Sequence, residues 1–229
     1  MTNESTCADC GKRFTFEAPD GLSIPTRLLA PKICNDCAPA WRLRQDAEGL
    51  QEELKLRNVP PRQRQESFDT FKPQTETQRK SLEAIRDHAT DGVLLIGPPG
   101  SGKTHLAAAA IASGPQGSFF VSAVDLLADV AASWRPGGGK GLLWRAKATP
   151  LLALDDLGSE SPQTWGIAAL HELLDYRWNH SLPLLVTTNC STSTITERIG
   201  QPALSRLKGL CAQRITVKGP DMRDRKAVA

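Results

Sequence analysis

Gly97-Pro98-Pro99-Gly100-Ser101-Gly102-Lys103-Thr104 matches the spacing G-x-x-x-x-G-K-[ST] at every fixed position. Glycines there let backbone N–H groups turn toward phosphate oxygens, and a helix starting at the end of the loop adds partial positive charge. In that setting Lys103 would reach the β- and γ-phosphates and Thr104 would offer its hydroxyl to Mg²⁺. A second cluster, Asp155-Asp156, ends the apolar run Leu151-Leu152-Ala153-Leu154. The spacing assigns Asp155 to Mg²⁺, held through water, and Asp156 to the vicinity of an attacking water. Two adjacent carboxylates that merely cap a following helix are the bland alternative. Together the two clusters point to a bound nucleotide whose phosphates are held with Mg²⁺.

Four of the six cysteines form two C-x-x-C pairs, Cys7/Cys10 and Cys34/Cys37, with 23 residues between them. That interval is slightly longer than the ~15–20 residues of a zinc ribbon. Four thiolates make a closed tetrahedral site that suits Zn²⁺ and leaves no open catalytic position. Gly11, directly after the first pair, supplies the positive φ that a metal knuckle needs. A redox C-x-x-C and chance clustering are the alternatives. Cys190 and Cys211 have no partner in sequence and read as small core residues.

These residues need a scaffold, and the pattern around them supplies one. Val93–Ile96, Ser118–Val121, Leu151–Leu154 and Leu184–Thr187 are apolar runs of strand length, separated by turns or helical stretches such as 104–112. This is the pattern of a parallel sheet covered on both faces, so the fold class is α/β. Ala40 to Arg57 carries Leu43, Ala47, Leu50 and Leu54 at helical spacing, and reads as a connecting helix packed on a neighbour, with a partner-binding helix as the alternative. Asn58-Val59-Pro60-Pro61 breaks it, dividing the chain into a cysteine module over 1–58 and a larger domain over 59–229.

The chain has 229 residues, 40% hydrophobic and 23% charged, a composition that excludes disordered and collagen-like classes. No apolar run reaches the ~18–20 residues of a membrane span, and Met1-Thr2-Asn3-Glu4-Ser5 lacks the marks of a secretory signal. The expectation is a soluble, cytoplasmic protein with no membrane partner. A net charge of +3 is too small for a chain devoted to coating nucleic acid.

With the two phosphate motifs placed, the chain resembles the AAA+ ATPases, and within them the DnaC/DnaI-type helicase loaders and the similar IstB-type transposition ATPases. The likeness runs from about Val59 to Arg225. It is carried by Gly-Lys-Thr-His ending at His105, Leu154-Asp155-Asp156-Leu157-Gly158 with Glu160, Thr187-Thr188-Asn189, Ser205-Arg206-Leu207 and Gly219-Pro220-Asp221-Met222-Arg223. The resemblance implies a RecA-like core, ATP hydrolysis, and His105 within the nucleotide-binding set. It implies that Asn189 orients the attacking water, and that Arg206 is an arginine finger reaching a neighbouring subunit's ATP site, so that self-assembly conditions hydrolysis. Arg223 resembles a sensor-2 arginine, and the short segment after it implies no helical lid. Where many members have glutamate after the metal-binding aspartate, this chain has Asp156, one methylene shorter; slow basal hydrolysis follows as an expectation.

The implied partners are a hexameric replicative helicase and single-stranded DNA, in a bacterial or phage-infected bacterial cell. The alternative is a transposition regulator on duplex DNA that engages a transposase. From Cys7 to Cys37 four bases balance four acids, and four thiolates around Zn²⁺ add negative charge, so this module suits protein docking better than phosphate contact. Phe14, Phe16, Leu28 and Leu29 are its candidate core or contact residues. Residues 61–229 hold 20 basic and 16 acidic side chains, and Arg135, Lys140 and Arg145, in and around the glycine-rich stretch 136–141, are the candidates for single-strand contact.

Overall fold

The computed structural model describes residues 2–17, 31–159 and 164–222. The chain divides into two compact units, Met1–Glu53 and Leu54–Ala229.

In the first unit, strands β1 (Thr2–Thr6) and β2 (Arg13–Glu17) form an antiparallel hairpin, with Thr6 opposite Arg13 and Thr2 opposite Glu17. Phe14 and Phe16 are half-buried and alternate with exposed Arg13, Thr15 and Glu17, as the two-residue period of a strand requires. Two strands alone bury too little to be stable. Helix α1 (Ala38–Leu56) starts directly after Cys37. Its apolar stripe is not packed along its length as the spacing suggested: Leu43 is 71% and Leu50 46% exposed, and only Leu54 in the last turn is buried. Leu54, where the second unit begins, joins Val59, Phe71 and Ile85 in that unit's core. Leu28 and Leu29 lie outside the described residues.

The second unit runs α2 (Glu76–His88), β3 (Val93–Ile96), α3 (Lys103–Ser113), β4 (Phe119–Ser122), α4 (Ala123–Ser133), α5 (Leu142–Ala148), β5 (Leu152–Asp155), α6 (Thr164–Asn179), β6 (Leu184–Thr188), α7 (Thr192–Leu210) and β7 (Gln213–Thr216). Its five strands are all parallel in the order β4-β5-β6-β3-β7. Alternate residues of each strand enter different cores. Leu94, Phe119, Val121, Leu152, Leu154, Leu184 and Val186 pack under α4, α6 and α7. Val93, Leu95, Phe120, Ala153 and Leu185 pack under α2 and α3. A sheet covered on both faces needs apolar residues on both, which is why its inner strands read as continuous apolar runs. The four strands expected from the sequence are present within one residue. The edge strand β7 was not foreseen, because Gln-Arg-Ile-Thr carries no such run.

Local signals set the helix starts. Thr75 and Gln78 form a reciprocal capping box at α2, and the hydroxyls of Ser122 and Ser191 cap α4 and α7. Helix α7 is two helical pieces meeting at Gly200 (φ 80°, ψ 161°), two residues before Pro202. The fully buried Arg177 of α6 donates to the carbonyls of Ala146, Thr149 and Pro183, which pins the entrances to β5 and β6. Burial pulls its pKa down to about 10, so it stays charged at neutral pH. Cys211 is fully buried with its thiol pushed up to about 12 by burial, and Cys190 is half-buried beside Gly158. Among the described residues no helix is long and apolar enough to cross a membrane.

Candidate functional site

Strands β3, β5 and β6 are neighbours and parallel, so the residues that follow them meet at one edge of the sheet. In open α/β sheets this carboxyl edge is where ligands bind. The loop after β3 must pass close to β7: a Cβ on Gly97 would stand 2.2 Å from the Val217 carbonyl oxygen, so only glycine fits. Gly102, at φ 93°, turns the chain into α3 and leaves the first N–H groups of that helix directed at the loop. Pro98 and Ser101 close the turn, with the Ser101 N–H and hydroxyl both donating to the Pro98 carbonyl. Gly100 accepts from the Met222 N–H at 2.9 Å, and Pro99 and Gly100 line the cavity beside it.

Lys103 is buried, and its Nζ donates to the carbonyls of Gly97 and Pro98 at 2.8 Å each and to Asn189 Oδ1 at 2.8 Å. Asn189, just past β6, in turn donates from Nδ2 to Asp156 Oδ1 at 2.6 Å. A continuous relay Lys103–Asn189–Asp156 therefore joins the loop to the acidic strand. The Thr104 hydroxyl lies 3.1 and 3.2 Å from the two oxygens of Asp155. Thr187 works on both acids at once: its hydroxyl donates to Asp155 Oδ1 at 2.6 Å and accepts from the Asp156 N–H at 2.9 Å. That second contact holds Asp156 at φ 57°, an uncommon conformation for a residue with a side chain. Burial pushes the pKa of Asp155 up, while hydrogen bonds from Thr187 and Thr104 oppose the shift. A hydroxyl and a desolvated carboxylate aimed at one point make the oxygen donor set that a hard divalent cation uses.

A cavity of about 800 Å³ opens beside these groups, a volume suited to a nucleotide. Its other wall comes from the segment 62–74, a 3-10 turn over Pro61–Gln65 followed by irregular backbone, including Gln63, Glu66, Thr70 and Gln74, and from Met222. No motif marks that segment in sequence. His105 explains how it is placed: the imidazole Nε2 lies 2.9 Å from the Ser67 carbonyl and 3.2 Å from the Thr70 hydroxyl, with the ring edge-on to Phe71. Its ring is thus engaged with the wall of the cavity rather than with the phosphate loop. The role of Thr187 goes beyond what the resemblance implies; its sequence signal is its place two residues before Asn189.

Arg206 does not line this cavity. It is exposed on α7, with Nε 2.7 Å from Asp175 Oδ1 and its guanidinium 6.0 Å above the Trp178 ring. Arg223 and Glu160 lie outside the described residues. Arg145, a candidate for DNA contact, is otherwise occupied: it bonds the Leu56 carbonyl and its guanidinium stacks 4.3 Å above the Phe119 ring.

In the first unit, the sulfurs of Cys7, Cys10, Cys34 and Cys37 lie within 4.8 Å of one another, with Cys10 and Cys34 3.8 Å apart. Tetrahedral Zn²⁺ with Zn–S of ~2.3 Å places sulfurs ~3.8 Å apart, so the donor set fits the ion. Gly11 has φ 72°, and its N–H donates to the Cys7 carbonyl. Backbone N–H groups of Cys34 and then Cys10 pull the Cys7 thiol down to about 6. Side-chain hydrogen bonds to the Cys10 and then the Cys34 sulfur push the Cys37 thiol far up, holding a proton that a bound cation would displace.

A family model described as IstB-like ATP binding protein matches residues 40–228. The chain belongs to that family. Among solved structures, a DnaC helicase loader is similar to this IstB-like chain, with 26% identity and a TM-score of 0.62 over 69% of this chain and 100% of that one. DnaI gives 20% identity and a TM-score of 0.62 over 70% and 95% of the two chains. AMPPCP-bound DnaA from Aquifex aeolicus gives 16% and 0.60 over 72% and 53%. The last two share the fold. No curated protein matches the chain. The IstB-like chain thus carries a P-loop, AAA+-like core, and its cysteine cluster fits a zinc-binding domain.

Proposed function

We propose that the chain is an ATP-hydrolysing helicase loader that docks on a hexameric replicative helicase through residues 1–58 and uses residues 59–229 as its ATPase to help place that ring on single-stranded DNA. The observation that carries this reading is the 26% identity with the DnaC loader over the whole of that chain, joined here to a four-cysteine cluster. Phosphates would lie in the loop Gly97 to Thr104, against the N-terminus of α3 and Lys103. Thr104 and Asp155 would hold Mg²⁺, which neutralises phosphate charge. Asp156 and Asn189 would orient the attacking water, and the relay through Asn189 links that task to the position of Lys103. Arg206 of a second copy would complete the site, a contribution worth ~10³–10⁵ in rate for such arginines. Because Asp156 is short, turnover without partners stays well below the ~10 s⁻¹ of ordinary enzymes.

Single-stranded DNA would meet the glycine-rich segment between α4 and α5. Arg135 and Lys140 are exposed there, and the buried Asp129 accepts from the N–H groups of Lys140 and Leu142, which gives the loop a defined course. Trp134 and Trp144, 63% and 67% exposed, flank it as stacking surfaces. The match to the IstB-like model supports a second reading, a transposition regulator that assembles on duplex DNA and engages a transposase. Loading of the host's replicative helicase onto a single-stranded circle, run beside electron microscopy on duplex DNA, separates the two. ATP-dependent loading supports the loader; filaments on duplex without loading reverse the ranking.

A further inference from the structure

Helices α6 and α7 share a feature at their outer ends that the sequence did not reveal. Asp175 and Trp178 sit three residues apart on α6, and Arg206 and Gly209 three apart on α7, so each pair occupies one helix face. The Asp175 carboxylate takes the Arg206 Nε at 2.7 Å. The Trp178 ring lies under the guanidinium at 6.0 Å. That ring fits only because residue 209 is glycine: a Cβ there would stand 2.2 Å from Trp178 Cζ3. The arginine is thus gripped by one nitrogen and supported by an aromatic ring, and among the described residues neither terminal nitrogen has a partner.

We propose that Asp175, with Trp178 beneath it, is a positioning residue that fixes Arg206 so that its two terminal nitrogens are presented to the terminal phosphate of ATP bound by a second copy of this chain. This rests on the reading of Arg206 given above. The physical ground is the shape of guanidinium, a planar fork whose Nη pair matches phosphate oxygens in a bidentate manner. A carboxylate that took the Nη pair would compete with phosphate. One that takes Nε leaves that pair available and removes side-chain freedom that association would otherwise have to quench. The ion pair is exposed, so it orients the arginine without holding it too strongly to respond to a phosphate.

The test is ATP turnover of the full chain across a range of protein concentrations, with nucleotide affinity measured separately by titration with a fluorescent ATP analogue. Arg206→Ala reduces kcat to near background with affinity unchanged. Asp175→Asn lowers kcat about 3- to 10-fold at unchanged nucleotide affinity, the scale of one immobilised side chain, and Asp175→Glu recovers most of it. Adding excess Asp156→Asn subunits, which keep an intact Arg206 and Asp175, restores turnover at the Asp175→Asn sites; damage to a subunit's own site would not respond. Wild-type kcat in Asp175→Asn beside a dead Arg206→Ala overturns the positioning role alone. Raised kcat in Asp175→Asn makes the carboxylate a restraint and also overturns it. Full turnover in Arg206→Ala removes the arginine-finger reading and the inference with it.

Discussion

The carboxyl edge of the sheet and the four-cysteine cluster both crowd ionisable groups together, yet opposite means hold them in place. At the sheet edge Lys103, Asp155 and Thr187 sit on elements anchored in two cores, and Asp155 stays desolvated because the surrounding strands leave it nowhere to go. Around the cysteines the described residues comprise a two-stranded hairpin, two half-buried phenylalanines and the start of a largely exposed helix. The first site is positioned by the fold, whereas the second must contribute to its own fold. A metal crosslink suits the second case, since small units with little core draw their stability from such bonds.

The sharpest way to break that contrast is to strip zinc. A strong chelator, or Cys34→Ser, unfolds residues 1–53, because apparent binding energies of ~10–16 kcal/mol for structural zinc are folding energies in such modules. Amide exchange localises the loss to that unit, while nucleotide affinity and the melting of residues 54–229 do not change. Concerted loss of both would mean that the two units are not independent in stability.

Next in size is Arg177→Met. It leaves the carbonyls of Ala146, Thr149 and Pro183 without their buried donor, so urea unfolding of the second unit loses about 3 kcal/mol or more. A near-neutral result would show that α6 is not what fixes the starts of β5 and β6. Gly97→Ala follows, at about 1–3 kcal/mol, because the methyl group meets the Val217 carbonyl. It also lowers nucleotide affinity, since the loop and β7 must separate.

Asp155→Asn is the smallest effect on stability and the most telling in sign. The folded pKa of Asp155 is raised above its unfolded value, so the ionised group costs stability at neutral pH, and that cost fades as pH falls through the raised pKa. Asparagine therefore raises Tm at neutral pH, by roughly 2–4 °C for each kcal/mol of burial cost it removes. The advantage shrinks in acid. The same variant loses Mg²⁺-dependent hydrolysis. A Tm lowered by Asp155→Asn at neutral pH would mean that the Thr187 and Thr104 hydrogen bonds outweigh burial.

The contrast also explains what could be read from sequence. The phosphate loop is legible because backbone geometry enforces its spacing, and β3, β5 and β6 are legible because burial on both faces demands continuous apolar runs. Strand β7 escaped because an edge strand with Arg214 facing outward needs no such run. The wall formed by 62–74 escaped because a single 3-10 turn followed by irregular backbone, held by His105, has no periodicity to detect. The exposed stripe of α1 misled for a related reason: amphipathic spacing records that a face is apolar and is silent on whether this chain covers it. Arg206 was placed by resemblance alone, and only side-chain geometry showed Asp175 and Trp178 around it.

The most direct test of the account is light scattering after size exclusion of the full chain mixed with its host's replicative helicase, with and without ATP and Mg²⁺, before and after zinc is stripped. The account predicts a complex with the intact chain that is lost on stripping, while the stripped chain still binds ATP with unchanged affinity. A complex that persists unaltered without zinc would contradict the assignment of docking to the cysteine unit, and no complex in any nucleotide condition would contradict the loader itself.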